Sequence, residues 1–109
     1  MSRKPYYQLL EDRGVSLEQL GLHELALRRE DALAAIDLLE AAERPILGGD
    51  VFFIQGERVE LAYANWSTSS KASESVSDYV ARCCRDSRKY ITDFPHYEDR
   101  TPIFVLVAA

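Results

Sequence analysis

Residues 46–66 constrain the fold more than any other stretch of this chain. Ile46 to Gln55 reads as a strand, Gly56 as a turn, and 57–65 as an antiparallel return. Val51-Phe52-Phe53-Ile54 is apolar on both faces, which predicts that the outgoing strand is the more central of the two. The return strand alternates. Val59, Leu61 and Tyr63 face one way, and Arg58 and Glu60 face the other, followed by Ala62 and Ala64. One face of it is expected to be buried and one wet. Gly48 and Gly49 stand where the first strand begins, and Trp66, the only tryptophan, stands where the second ends. Glycine weakens a strand unless a bulge or a close backbone approach requires it. Here the expected neighbour is a helix. Asp50 either caps the local amides or stands exposed at the sheet edge. Trp66 either closes the core or anchors a partner, as interface tryptophans do. Asn65 reads as a turn residue.

The flanking segments are helical, apart from the last. Residues 5–13 predict a short helix, with Pro5 at its first position and Gly14 after its end. Ser16 and Gln19 have capping-box spacing, so a single helical turn is expected near 17–20 in an otherwise connecting segment. Residues 24–27 are a brief strand or an extended entry. A helix over 29–42 buries Ala32, Leu33, Ile36 and Leu39, carries Glu30 and Asp31 in its first turn, and ends before Pro45. A second long helix starts near Val76, capped by Ser75, and stops at Pro95. Its apolar face runs through Val76, Tyr79, Val80, Cys83, Ser87, Tyr90, Ile91 and Phe94. Residues 103–107 are a continuous apolar strand, hence buried in the sheet, with parallel or antiparallel pairing left open. The result is an α+β fold: a single two-layer domain over 1–109. A small, mainly antiparallel sheet, made of the central hairpin plus the C-terminal strand, is covered by two main helices.

Composition narrows the function. The 109 residues suffice for one core, and their net charge of -5 argues against nucleic-acid binding, which needs a clustered basic face. The stripe Arg82, Arg85, Arg88, Lys89 is interrupted by Asp78 and Asp86 and reads as a solvated helix face. No apolar run approaches a membrane span, and no apolar stretch follows the basic N-terminus, so a cytoplasmic location is expected.

The chain offers little chemistry. Gly48-Gly49-Asp50 lacks the Lys-Ser/Thr of a phosphate loop and precedes a strand rather than a helix. Cys83 and Cys84 are adjacent and lack metal-ligand spacing; Cys83 is expected in the core and Cys84 near the edge of the buried face. His23 reads as a surface or capping residue. A Cys83–His96 pair is the sole hydrolase arrangement worth weighing, and burial would blunt the thiol. No catalytic residue, metal or cofactor is expected, and the chain does not read as an enzyme.

The ordered set Arg13-Gly14-Val15-Ser16-Leu17, Ala26-Leu27 with Asp31-Ala32-Leu33 and Ile36, Ile46-Leu47-Gly48-Gly49-Asp50-Val51, Tyr63-x-Asn65-Trp66, Tyr79-Val80, Tyr90-Ile91 and Phe104-Val105-Leu106-Val107 resembles the immunity protein 40 family of bacterial polymorphic toxin systems. The likeness runs from about residue 9 to the C-terminus. This chain departs from the family pattern at Ala64, where an aspartate often precedes Asn-Trp, and at Phe52, where tyrosine is common. The resemblance implies a protein that binds and neutralises a cognate toxin domain by stoichiometric occlusion, without turnover. The expected contacts are Asp50, Tyr63, Asn65 and Trp66, with Glu57, Glu60, Glu98 and Asp99 supplying negative field. A monomer or weak homodimer is expected. The rival reading is a small non-catalytic adaptor or regulatory domain, oligomeric through a sheet edge.

Overall fold

The computed structural model describes residues 4–109; the N-terminal stretch Met1 to Arg3, on which the reading of the leader partly rests, lies outside them. The elements run α1 (Pro5–Arg13), β1 (Val15–Ser16), a 3-10 turn (Glu18–Leu20), β2 (Leu25–Arg28), α2 (Arg29–Ala41), β3 (Ile46–Gln55), β4 (Arg58–Ser67), α3 (Val76–Asp93) and β5 (Thr101–Ala108). The strands form one sheet in the order β1-β2-β5-β3-β4, and every pairing is antiparallel. The α+β expectation holds, with β3 more central than β4. Two short strands, β1 and β2, extend the sheet, and β5 pairs antiparallel with both of its neighbours.

The helices share one face of the sheet. Ala32, Ala35, Ile36 and Leu39 of α2 pack there with Cys83, Cys84 and Ile91 of α3 against Val51, Phe104 and Leu106. Leu33 is half-buried and Ala35 takes its place in the stripe. Val76 is 71% exposed, outside the α3 core face expected for it. Ser75 caps α3 as its spacing predicts: the Asp78 N–H donates to Ser75 Oγ at 3.1 Å. Both cysteines are fully buried, Cys84 included.

The polar face of α3 is laced with ion pairs. Arg88 reaches Asp37 at 2.7 Å and also Glu40, and Lys89 reaches Asp93 at 2.7 Å. Arg82 grips both oxygens of Glu74 at 2.8 Å and donates to the Ser69 carbonyl at 2.6 Å, which ties down the loop before α3. This grip lowers the Glu74 carboxyl from 4.5 to about 2. A depressed folded-state value means that the pair stabilises fully above pH 4.5 and is lost as pH falls towards 2. Glu74→Gln is therefore expected to flatten the stability–pH curve over that window, read by urea midpoints at stepped pH.

The second sheet face is only half covered. The segment after β1 folds across it, and Leu17, fully buried, packs on Ala26, Phe52, Val59, Ile103 and Val105. Removing such a leucine from water stabilises by about 2 kcal/mol. The expected capping box is absent. Ser16 Oγ accepts from the Glu18 N–H at 3.2 Å, while the Gln19 side chain reaches away from the turn. The Gln19 side chain donates to the Glu57 carbonyl at 2.6 Å and accepts the Val59 N–H at 3.0 Å. The strap is thereby pinned to the β3–β4 turn, and one outward-facing amide of edge strand β4 is satisfied.

Candidate functional site

Gly48 and Gly49 are explained by Trp66 rather than by a helix or a ligand. Gly49 pairs with Trp66 across the β3–β4 ladder. A Cβ on Gly49 would lie 2.2 Å from Trp66 Cη2 and 2.4 Å from the Val105 carbonyl oxygen. One on Gly48, whose φ is +153°, would lie 2.2 Å from the Trp66 carbonyl oxygen. The indole thus lies flat on bare backbone on the helix side of the sheet. It stacks on Tyr90 at 4.6 Å, and its Nε1–H donates to the buried Ser87 Oγ at 3.0 Å. The half-buried Trp66 is a wedge between β4 and α3, the core-closing alternative of the two raised for it.

The remaining expected contacts fall into three places. Gly49 and Val51 face the helices, so Asp50 between them faces the opposite side with Phe52. Asn65 lies directly across from it on β4. Both are exposed. Asp50 makes no hydrogen bond or ion pair among the described residues, so the expected capping of local amides does not form, and Asn65 is a strand residue rather than a turn residue. Glu57 stands at the hairpin tip, under the strap. Glu60 and Asp99 lie near Arg100, which lies over the rings of Phe53 at 5.2 Å and Tyr97 at 5.9 Å, and Glu98 is exposed in the loop before it. Asp99 is held below the usual carboxylate range by its hydrogen bond from Arg100, and Glu60 is bonded by Arg58 at 3.2 Å. The eight expected residues do not form one site.

Tyr63 departs most from expectation. The ladder slips between Val51, opposite Ala64, and Phe52, opposite Leu61, so Ala62 and Tyr63 are two extra residues in β4. Tyr63 takes φ +55°, a left-handed conformation that costs an L-residue roughly 1–2 kcal/mol. Its side chain is 89% exposed. Because it inserts two residues, the bulge leaves the alternation of the strand's faces intact. Ala62 and Ala64 pack under the helices, whereas Leu61 (47%) and Tyr63 are exposed, the reverse of the burial that their size suggests. Val107 on β5 adds a further exposed apolar side chain on this face, at 44%. Leu61 and Val107 carried no functional signal in the sequence; only the strap's position makes them a surface.

Catalytic arrangements are missing from the described residues. Cys83 Sγ accepts the Ile46 N–H at 3.1 Å within the core. His96 lies beyond the end of α3, about 15 Å of helix away. Burial, helped by the neighbouring Cys83, pushes the Cys84 thiol up to about 12. No three His, Cys, Asp or Glu side chains among the described residues converge on a metal position, and every buried side-chain nitrogen and oxygen has a hydrogen-bond partner. A groove of about 440 Å³ beside Tyr90, Phe94 and Pro95 is bordered by the ion-paired Asp86, Lys89 and Asp93. Among the described residues no helix is long and apolar enough to cross a membrane.

No curated protein and no solved structure matches the chain. The family model described as Immunity protein 40 matches residues 16–108, which takes in the strap, the Tyr63 bulge and every element from β2 to β5. The chain belongs to the Immunity protein 40 family.

Proposed function

We propose that this chain protects the cytoplasm of the cell that makes it by binding a cognate polymorphic toxin domain one-to-one and occluding it, without turnover or cofactor. The family assignment over residues 16–108 carries the reading. The docking surface we assign is the uncovered end of the sheet, where Tyr63, Leu61 and Val107 surround the Asp50–Asn65 pair. A strained, solvent-exposed tyrosine at an edge-strand bulge contributes nothing visible to the core. Strain of this kind persists at sites where it presents a side chain, and tyrosine is among the residues that dominate interface energies.

The toxin domain encoded beside this gene, expressed with and without this protein, tests the reading. Growth rescue together with a one-to-one complex is expected. Binding without rescue would favour an adaptor, and neither result would remove the toxin-neutralising role. Tyr63→Gly separates presentation from folding, because its two effects have opposite signs. Relief of the left-handed strain is expected to stabilise the fold by about 1 kcal/mol. Loss of the phenol ring is expected to weaken toxin binding by roughly 30-fold. Thermal melting and calorimetric titration read the two effects. A variant that melts higher and binds as tightly as wild type would move the docking surface elsewhere.

A further inference from the structure

We infer that the Asp50–Asn65 pair is the seat of an arginine side chain presented by the toxin; the inference rests on the docking surface proposed above and names what that surface receives. Aspartate is depleted in strands, and Asp50 occupies β3, which is paired on both sides. Some carboxylates lie against cations, such as Glu74 with Arg82 and Glu40 with Arg88, and others, such as Glu30 and Asp78 on helices, stand in solvent without one; Asp50 is the one carboxylate among the described residues on a strand paired on both sides. Asp50 has no such partner among the described residues. Two ladders hold its backbone, so the direction in which its side chain leaves the sheet is fixed before any partner arrives.

The surroundings favour a guanidinium over an ammonium. A planar fork places two parallel N–H groups on a carboxylate and keeps others free for a second acceptor. Asn65 supplies that acceptor directly across the ladder through its side-chain carbonyl. Tyr63, two residues before Asn65 on β4, offers an aromatic face, and arginine is the cation most often found over such rings. Val107 and Leu61 border the pair with apolar surface, so docking would remove water around the contact and strengthen it. Guanidinium is also the more weakly hydrated cation and the less costly one to bury. The net charge of -5 would steer a basic toxin face towards this one.

The test uses the full chain and the neighbouring toxin domain. Asp50→Asn keeps the shape and removes the charge. It is expected to melt as wild type does, since Asp50 is exposed and unbonded, and to bind at least ~30-fold more weakly with a shallower salt dependence. Asp50→Arg is expected to abolish binding, and one Arg→Glu change among the toxin's surface arginines is expected to restore it. If wild type does not bind the toxin, the proposed function fails and takes this inference with it. If wild type binds and Asp50→Asn binds equally well, the arginine seat alone is overturned. Restoration by a Lys→Glu change, or by no toxin arginine, overturns the guanidinium.

Discussion

Gly49→Ala is expected to destabilise the protein by about 3 kcal/mol, at the upper end of what overpacking costs, because neither atom in its way can yield. One is the Val105 carbonyl oxygen of the neighbouring central strand, 2.4 Å from the added carbon. The other belongs to Trp66, whose ring is held by Tyr90 on one side and by Ser87 through its nitrogen. For a domain of this size the loss corresponds to a melting point lower by roughly 10 °C or more. Gly56→Ala is the control for backbone conformation alone. Its φ of +62° is left-handed, as that of Gly49 is not, but nothing lies within 4 Å of the added carbon, so only the backbone cost of about 1 kcal/mol is expected. A double-mutant cycle isolates the contact. Trp66→Ala alone removes the stack and leaves Ser87 without its partner, at a cost of about 3 kcal/mol. Gly49→Ala made in that background is expected to cost at least ~1 kcal/mol less than in wild type. If Gly49→Ala is neutral in urea melts, the wedge does not account for the glycine pair, and a role at the surface would have to.

That wedge shows how far the sequence could be read. Two glycines at a strand start and a tryptophan at a strand end each demanded a reason, and that much was legible. That each is the reason for the other was not, because the contact runs across a ladder whose register is set partly by a bulge. The bulge itself is invisible in sequence. Tyrosine favours strands, alternation around Tyr63 is clean, and nothing in the local pattern marks it for φ +55°. The alternation of β4 sorts its two faces, and Val59 is buried on the face it shares with Leu61 and Tyr63, which are exposed. Size suggested burying Leu61 and Tyr63, whereas the helices approach the sheet over Ala62 and Ala64, where small side chains leave room for Trp66 and Tyr90. In sequence the strap shows only as one helical turn, because its hold on the sheet depends on Leu17 and on the side chain of Gln19. Neither makes a periodic signal. Strands of two and four residues, β1 and β2, are likewise too short for alternation to speak. The proposed docking surface follows the same division. The sequence marks Asp50 and Asn65, which lie opposite each other across the ladder, while the exposed apolar neighbours and the boundary drawn by the strap require the fold.

Arg29→Ala is expected to cost about 3 kcal/mol and to loosen the end of α3 before the rest of the domain. Arg29 reads in sequence as merely the first residue of a helix, yet its guanidinium gathers the carbonyls where another helix stops. It donates to the Ile91 carbonyl, to Phe94 at 2.8 Å, to Pro95 at 3.2 Å and to Thr92 at a long 3.4 Å. Helix C-terminal carbonyls lack intrahelical donors, and α3 has no glycine to close a terminal turn; Phe94 is extended, and Pro95 has no N–H to give. A cation at that position also complements the helix dipole. The same guanidinium lies 5.9 Å from the centre of the Phe104 ring, so one side chain joins the start of α2, the end of α3 and the central strand β5. Each charge-assisted bond is worth about 1.5–3 kcal/mol, but Arg29 is half-exposed and water replaces part of what is lost, which brings the total down. Arg29→Lys is expected to recover less than half of the loss, because an ammonium lacks the planar fork that spans several carbonyls. Hydrogen exchange would show the change first at amides of the last turn of α3 and in the loop carrying Glu98 and Asp99. Well below the melting point, toxin binding by Arg29→Ala separates the two acidic regions. The Asp50 surface lies on the opposite face of the sheet and is expected to bind unchanged. Loss of binding in a folded Arg29→Ala protein would instead place the interface at the Arg100 end of the molecule.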